Sequence, residues 1–138
     1  MTDPQARAEQ QAAAMYAADN ASRALGIRIR DVSPGRATAT MQVTASMLNG
    51  HGICHGGYVF LLADTAFAFA CNTHGEPVVA GGADITFVAP VAAGSELVAD
   101  AVERVRRGRS GLYDVTVRDG QEIVAEFRGR SRARPIRD

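Results

Sequence analysis

The sequence predicts an α+β fold: an antiparallel sheet wrapped around one long central helix, with a helical flank at the amino end. Three observations carry that expectation. The stretch from Gly57 to Cys71 is apolar almost all round, with Asp64 its single charged residue, and a helix apolar on every side has to be buried on every side. The segments before and after it alternate apolar and polar residues with a period of two, as strands with one face on a core do. The residues before Gly26 instead favour helix in their composition.

Taken in order, Asp3-Pro4 opens a first helix, an N-cap residue followed by proline at the first helical position. That helix runs to about Ala18, but its apolar face is weak, chiefly Met15 and Tyr16. The flank is therefore read as docked on a partner subunit, with a frayed tail as the alternative. Asp19-Asn20 restarts a short helix that ends near Leu25-Gly26. Ile27 and Ile29 then alternate with Arg28 and Arg30, and Ser33-Pro34-Gly35 turns the chain. From Arg36 to Val43, Ala37, Ala39, Met41 and Val43 share one face, opposite Arg36, Thr38, Thr40 and Gln42. A short connection from Ala45 leads into the glycine-rich run Asn49 to Gly57. Beyond the central helix, His74-Gly75 predicts a glycine cap and Pro77 bars continuation. Four strands follow, Val78 to Val88, Glu96 to Arg106, Leu112 to Arg118 and Glu122 to about Arg132. Gly108 and Asp119-Gly120 supply the turns.

The totals exclude several classes. A chain of 138 residues without internal repeat or linker reads as one domain, 1–138. Fifteen basic and fifteen acidic residues cancel, so neither nucleic acid nor an anionic membrane is expected as a partner. The first 25 or so residues lack the apolar segment of a signal peptide, and two cysteines suit a reducing compartment. The expected location is the cytoplasm. The central helix is too short for a membrane span of roughly 20 apolar residues and carries a carboxylate. His51, Cys54, His55, Cys71 and His74 have spacings that suggest zinc, but the ends of the helix lie about 25 Å apart by rise. No metal is expected. The basic run Arg104 to Arg109 has no interleaved aromatic residue and reads as a hairpin tip.

The loop Asn49-Gly-His-Gly-Ile-Cys-His-Gly-Gly, continued through Tyr58 and Asp64 to Cys71, resembles the hotdog-fold acyl-CoA thioesterases, in particular the phenylacetyl-CoA thioesterases of phenylacetate degradation. Ala24-Leu25-Gly26, Met47-Leu48, Asp84-Ile85-Thr86-Phe87 and Phe127-Arg128-Gly129 extend the resemblance over nearly the whole chain. It implies the hotdog fold and hydrolysis of an acyl-CoA, with an aromatic acyl group, to free acid and CoA. It implies neither metal nor redox cofactor, and a homodimer assembling to a homotetramer. By the same resemblance the Gly56 amide polarises the thioester carbonyl. Asp64 acts as nucleophile or as base for water, facing the loop of the other subunit. Asn49 positions the water or the carboxyl intermediate, and His55 lies near the sulfur or the carbonyl.

The residues themselves point the same way. Thioester hydrolysis needs donors for a developing oxyanion and either a nucleophile or a base. Gly56 and Gly57 open a helix, so their amides have no partner within it and the dipole favours negative charge there. Asp64 stands two turns further on, on the order of 10 Å by rise. One helix therefore places its amide and its carboxylate poorly for a single carbonyl. Substrate contacts are expected at Gly57, Tyr58 and Thr65, with Phe60 a further candidate for the acyl pocket. Arg109, Ser110 and Gly111 are candidates for the CoA nucleotide, helped by Arg128 and Arg130. Each has a structural alternative. Asp64 can bond backbone, Asn49 can form a turn, and His55 can cap the helix. Thr65 can bond the preceding turn, and Tyr58 and Phe60 can fill the core. Two other functional classes stand beside hydrolysis: a hotdog acyl-CoA hydratase or dehydratase, and a non-catalytic acyl-CoA-binding protein.

Overall fold

The computed structural model describes residues 3–133. Helix α1 (Pro4–Ala18) starts at Asp3, whose Oδ2 accepts the Ala6 N–H at 3.1 Å. Helix α2 (Asn20–Ala24) restarts on Asp19, whose Oδ1 accepts the Ser22 N–H at 2.9 Å. Both caps satisfy donors that the first turn cannot pair internally. The flank docks on its own chain, which corrects the alternative of a frayed segment. Ala8 is fully buried, and Ala12, Met15 and Tyr16 pack on the core. The Tyr16 hydroxyl donates to the Ile27 carbonyl at 2.7 Å, and Gln5 Nε2 to the Val32 carbonyl at 2.7 Å. Alanines give α1 a close face that a reading by large apolar residues does not register.

The strands are β1 (Arg28–Ser33), β2 (Arg36–Gln42), β3 (Val78–Phe87), β4 (Glu96–Arg107), β5 (Ser110–Asp119) and β6 (Glu122–Ala133). They form one antiparallel sheet in the order β1-β2-β4-β5-β6-β3. Helix α3 (Gly56–Cys71) lies mainly across β2, β4 and β5. Ala39, Ala99, Val117 and Ala125 make one cross-strand row beneath it, and Ala37, Ala101, Val115 and Phe127 the next. All eight are buried. The alanines of β2 and β4 face Ala63, Ala66 and Ala70 of the same core, which lets helix and sheet approach closely. At Gly129 a side chain would fall 2.8 Å from the Phe67 ring, so that position has no room for a Cβ.

Two expectations about α3 need correction. The helix ends at Cys71, before Gly75, and side chains close it. Asn72 Nδ2 donates to the Ala68 carbonyl at 2.9 Å and the Val78 carbonyl at 3.1 Å, and Thr73 Oγ1 donates to the Ala70 carbonyl at 2.8 Å. Polar groups at the end thus serve carbonyls that a left-handed glycine serves elsewhere. Nor is α3 buried on every side. Gly57 is exposed, and Leu61, Asp64 and Ala68 are only half-buried. Their spacing of four, three and four residues defines one open stripe along the helix. The sheet edge beside it is open too: β3 pairs only with β6, and Val79, Phe87 and Val88 near its ends are 48%, 53% and 58% exposed.

Past the carboxyl end of α3, Glu103 gathers two partners on one oxygen. Its Oε1 accepts the Tyr113 hydroxyl at 2.7 Å and lies 2.8 Å from His74 Nε2. Burial pushes the Glu103 carboxyl up, but the bonds to Tyr113 and His74 outweigh it and hold the group below its ordinary value. Its contribution to stability is therefore full above the unfolded-state pKa, about 4.3, and is lost as pH falls through the lower folded value. Glu103→Gln should lower stability at pH 7 by about 1–2 kcal/mol. Thermal melts of the two proteins should converge in acid.

Candidate active site

The glycine-rich segment is a tight loop built on Asn49. Its backbone N–H donates to the Ile53 carbonyl at 2.8 Å, and its Oδ1 accepts the His51 N–H at 2.9 Å and, more weakly, the Ile53 N–H at 3.4 Å. Asparagine side chains favour such turns because they bond backbone two residues on. The Asn49 Nδ2 has no partner among the described residues. Two backbone bonds then fix the loop to the core, Cys54 N–H to the Val91 carbonyl and His55 N–H to the Met47 carbonyl, each 2.8 Å.

His55 is the N-cap of α3, and its Nδ1 accepts the Gly57 N–H at 2.8 Å. Because Nδ1 accepts, the proton of the neutral ring sits on Nε2. The Gly57 amide is thereby taken. The Tyr58 N–H bonds the His55 carbonyl at 3.0 Å, and among the described residues the Gly56 N–H bonds nothing. Of the two glycine amides expected to be free, the structure leaves one. It points from a helix amino end, where an oxyanion is favoured. Beside it opens an apolar cavity of about 490 Å³, lined by Asn49, Gly56, Val59, Phe87, Val91 and Val124 among others.

Asp64 sits in the middle of the open stripe of α3. Burial pushes its carboxyl above the ordinary value, and no hydrogen bond or ion pair among the described residues opposes this. A buried carboxylate without a partner costs stability. Burial also raises both thiols, that of Cys71 to about 12, so neither cysteine is a thiolate near neutrality. Among these groups Asp64 is the one that is ionisable, half-open and unengaged.

The other expected site residues are scattered. Thr65 is buried, its Oγ1 3.2 Å from Ser22 Oγ, and so looks away from the open stripe. Tyr58 is half-buried with its ring edge-on to His55 at 6.4 Å, and the Phe60 ring packs against Phe127 at 5.4 Å. Arg109, Ser110 and Gly111 lie with Cys71 and His74 at the carboxyl end of α3, the opposite end from Gly56. Ser110 and Gly111 also border a second groove, of about 350 Å³, that Arg107, Arg130 and Arg132 line. Arg128 is committed to Asp114, with bonds of 2.7 and 3.0 Å to its two oxygens, and Arg130 bonds Asp84 at 2.9 Å. Within one subunit, then, Asn49, His55 and Gly56 come together, while Asp64 and the basic hairpin stand apart from them. Phe87, whose ring covers Gly56, is read from the sequence only as part of the stretch that extends the resemblance and not as a site residue. Its place at the end of an alternating strand carried no signal of that contact.

A long central helix across an antiparallel sheet, entered through a glycine loop with one free amide, is the hotdog thioesterase fold. Residues 51–126 match the thioesterase superfamily, and the chain belongs to that family. It is 49% identical over 126 residues to the acyl-coenzyme A thioesterase PaaI of Escherichia coli K12, covering 91% of this chain and 90% of that protein. The structure of the E. coli PaaI protein from the phenylacetic acid degradation operon superposes with a TM-score of 0.94 at 46% identity, over 96% of this chain and 97% of that one. The TT0310 protein of Thermus thermophilus superposes with a TM-score of 0.82 at 38% identity, over 84% of this chain and 98% of that one.

Proposed function

We propose that the chain hydrolyses aromatic acyl-CoA thioesters, phenylacetyl-CoA or a hydroxyphenylacetyl relative, to the free acid and CoA. The observation that carries this is the pairing of one unengaged helix-start amide, that of Gly56, with one unengaged carboxylate on the open face of the same helix, that of Asp64. The PaaI name of a relative nearly half identical supports the CoA thioester and the phenylacetic acid connection.

In this reading the Gly56 N–H bonds the thioester oxygen and strengthens its hold as charge develops there. Asp64 of a second subunit then adds to the carbonyl carbon, or takes a proton from water that adds. Collapse of the tetrahedral intermediate breaks the C–S bond, and the CoA thiolate leaves and takes up a proton. Where water adds, the free acid forms directly. Where Asp64 adds, the resulting acyl-aspartyl anhydride is cleaved by water, which gives the free acid and restores the carboxylate. Its raised pKa makes Asp64 a stronger base than an ordinary carboxylate. The free Asn49 Nδ2 and the Nε2–H of His55 are donors for the water and for the sulfur.

A homodimer completes the site. The open β3 edge and the open stripe of α3 lie side by side, and pairing two copies there covers both. Such dimers assemble in turn to a tetramer. The unpaired cysteines suit the cytoplasm, where this reading places the chain.

Thiol release from a panel of acyl-CoAs tests the proposal. Release with a preference for aromatic acyl groups is expected. Water addition to an enoyl-CoA without thiol release would make the chain a hydratase, and binding without turnover a carrier or sensor.

The CoA nucleotide is assigned to Arg109, Ser110 and Gly111 at the hairpin tip, which presents the densest positive charge. Arg109→Ala should raise KM several-fold, on the order of 1 kcal/mol, with kcat nearly unchanged. Added salt should weaken the wild type more than the variant. An unmoved KM would place the nucleotide elsewhere.

A further inference from the structure

We infer that Phe87 is a specificity-determining residue, the aromatic surface against which the acyl group packs. The inference rests on the thioesterase reading above and adds to it the part of the site that selects the acyl group.

The geometry is specific to one contact. Phe87 ends β3 opposite Ala125 of β6, and its ring is laid over the start of α3. A Cβ built on Gly56 would stand 2.9 Å from Phe87 Cζ and 3.2 Å from Cε1. The ring therefore rests on the Cα of the residue whose N–H is free. Gly56 has ordinary backbone angles for a helix start, so what a side chain there would meet is this ring and not a backbone restriction. The ring is also more than half exposed. Within one subunit a large apolar side chain in that position fills no internal cavity, so what covers it is the substrate or the second copy that pairs along β3.

Phe87 lines the cavity of about 490 Å³ beside Gly56, together with Val59, Val91 and Val124. A carbonyl oxygen bonded to the Gly56 N–H puts the acyl carbons within contact of the ring. The ring of an arylacetyl group, one methylene beyond the carbonyl, can then meet Phe87 edge to face. Such contacts add to the burial of the area itself. A short acyl group gains almost nothing from the same wall.

The test is the ratio of kcat/KM for phenylacetyl-CoA to that for acetyl-CoA, measured on the full-length protein. Phe87→Ala should lower the ratio roughly five- to tenfold. Phe87→Tyr keeps the aromatic face and should hold the ratio within about twofold of the wild type. A third variant separates specificity from folding. Gly56→Ala clashes with the ring, so its loss of kcat/KM should be smaller in the Phe87→Ala background than in the wild type. An active wild type whose ratio is unmoved by Phe87→Ala overturns the assignment of Phe87 alone. One whose activity is confined to aliphatic acyl groups overturns both that assignment and the aromatic substrate class, leaving the thioesterase reading. A wild type that releases no thiol from any acyl-CoA overturns the thioesterase reading, and this inference with it.

Discussion

Asp64→Asn should abolish turnover by roughly three orders of magnitude, about 4 kcal/mol of transition-state stabilisation, while leaving acyl-CoA binding intact. It should also melt at a higher temperature than the wild type at pH 7. In the unfolded chain Asp64 ionises near 3.9, and burial raises that value in the folded protein. The folded state thus holds the proton more tightly. The cost of burying the charge is absent below the ordinary value and fully present above the raised one. Asparagine carries no charge at any pH, so the advantage of the variant should close as pH falls through this range. The same titration should set the acid limb of the wild-type kcat/KM profile, above the pH of an ordinary aspartate. Differential scanning fluorimetry across pH and a thiol-release assay measure both halves. A variant retaining a tenth of the wild-type activity would make Asp64 structural.

Mixing two inactive proteins should restore activity. Gly56→Pro removes the one free N–H, and proline suits the backbone of the first helical position. Its Cβ also meets the Phe87 ring, so Gly56→Ala, which keeps the N–H and makes the same contact, is the control. Loss of such a donor costs on the order of a hundred- to a thousandfold. If each site draws Gly56 from one subunit and Asp64 from the other, a heterodimer of Gly56→Pro with Asp64→Asn carries both lesions in one site. The other site is then intact. Random exchange of equal amounts gives about half heterodimers, each with one good site, and so about a quarter of the wild-type activity. Recovery of this size requires the amide and the carboxylate to act across the interface. Heterodimers verified by native mass spectrometry that stay inactive would refute a shared site.

Both predictions depend on a distinction between what one chain's pattern encodes and what neighbouring elements impose. The alternation of Ala37, Ala39, Met41 and Val43 was legible because burial on one sheet face leaves a period of two in the sequence, whichever strand lies alongside. The caps at Asp3 and Asp19 were legible because they act within three residues. The loop from Asn49 to Gly57 was legible as a helix entry with glycine amides, for the same local reason. The family match over 51–126 agrees with the resemblance read from that loop.

What the sequence determined, then, is whatever depends on near neighbours along the chain: the elements, their faces, the glycine entry and an isolated carboxylate. The tertiary structure decided which of the two glycine amides is free, since His55 Nδ1 folds back on Gly57. It decided that α1 covers its own sheet, because alanines make a face only when a surface comes close enough to touch them. It placed β3 at the edge beside β6, and with it Phe87 on Gly56, a contact between residues 31 positions apart. It also left the Asp64 stripe of α3 uncovered, where composition alone called for burial on every side. An apolar helix face records that something must cover it, but not whether the cover belongs to the same chain, because the free energy of removing apolar surface from water is indifferent to which chain supplies it.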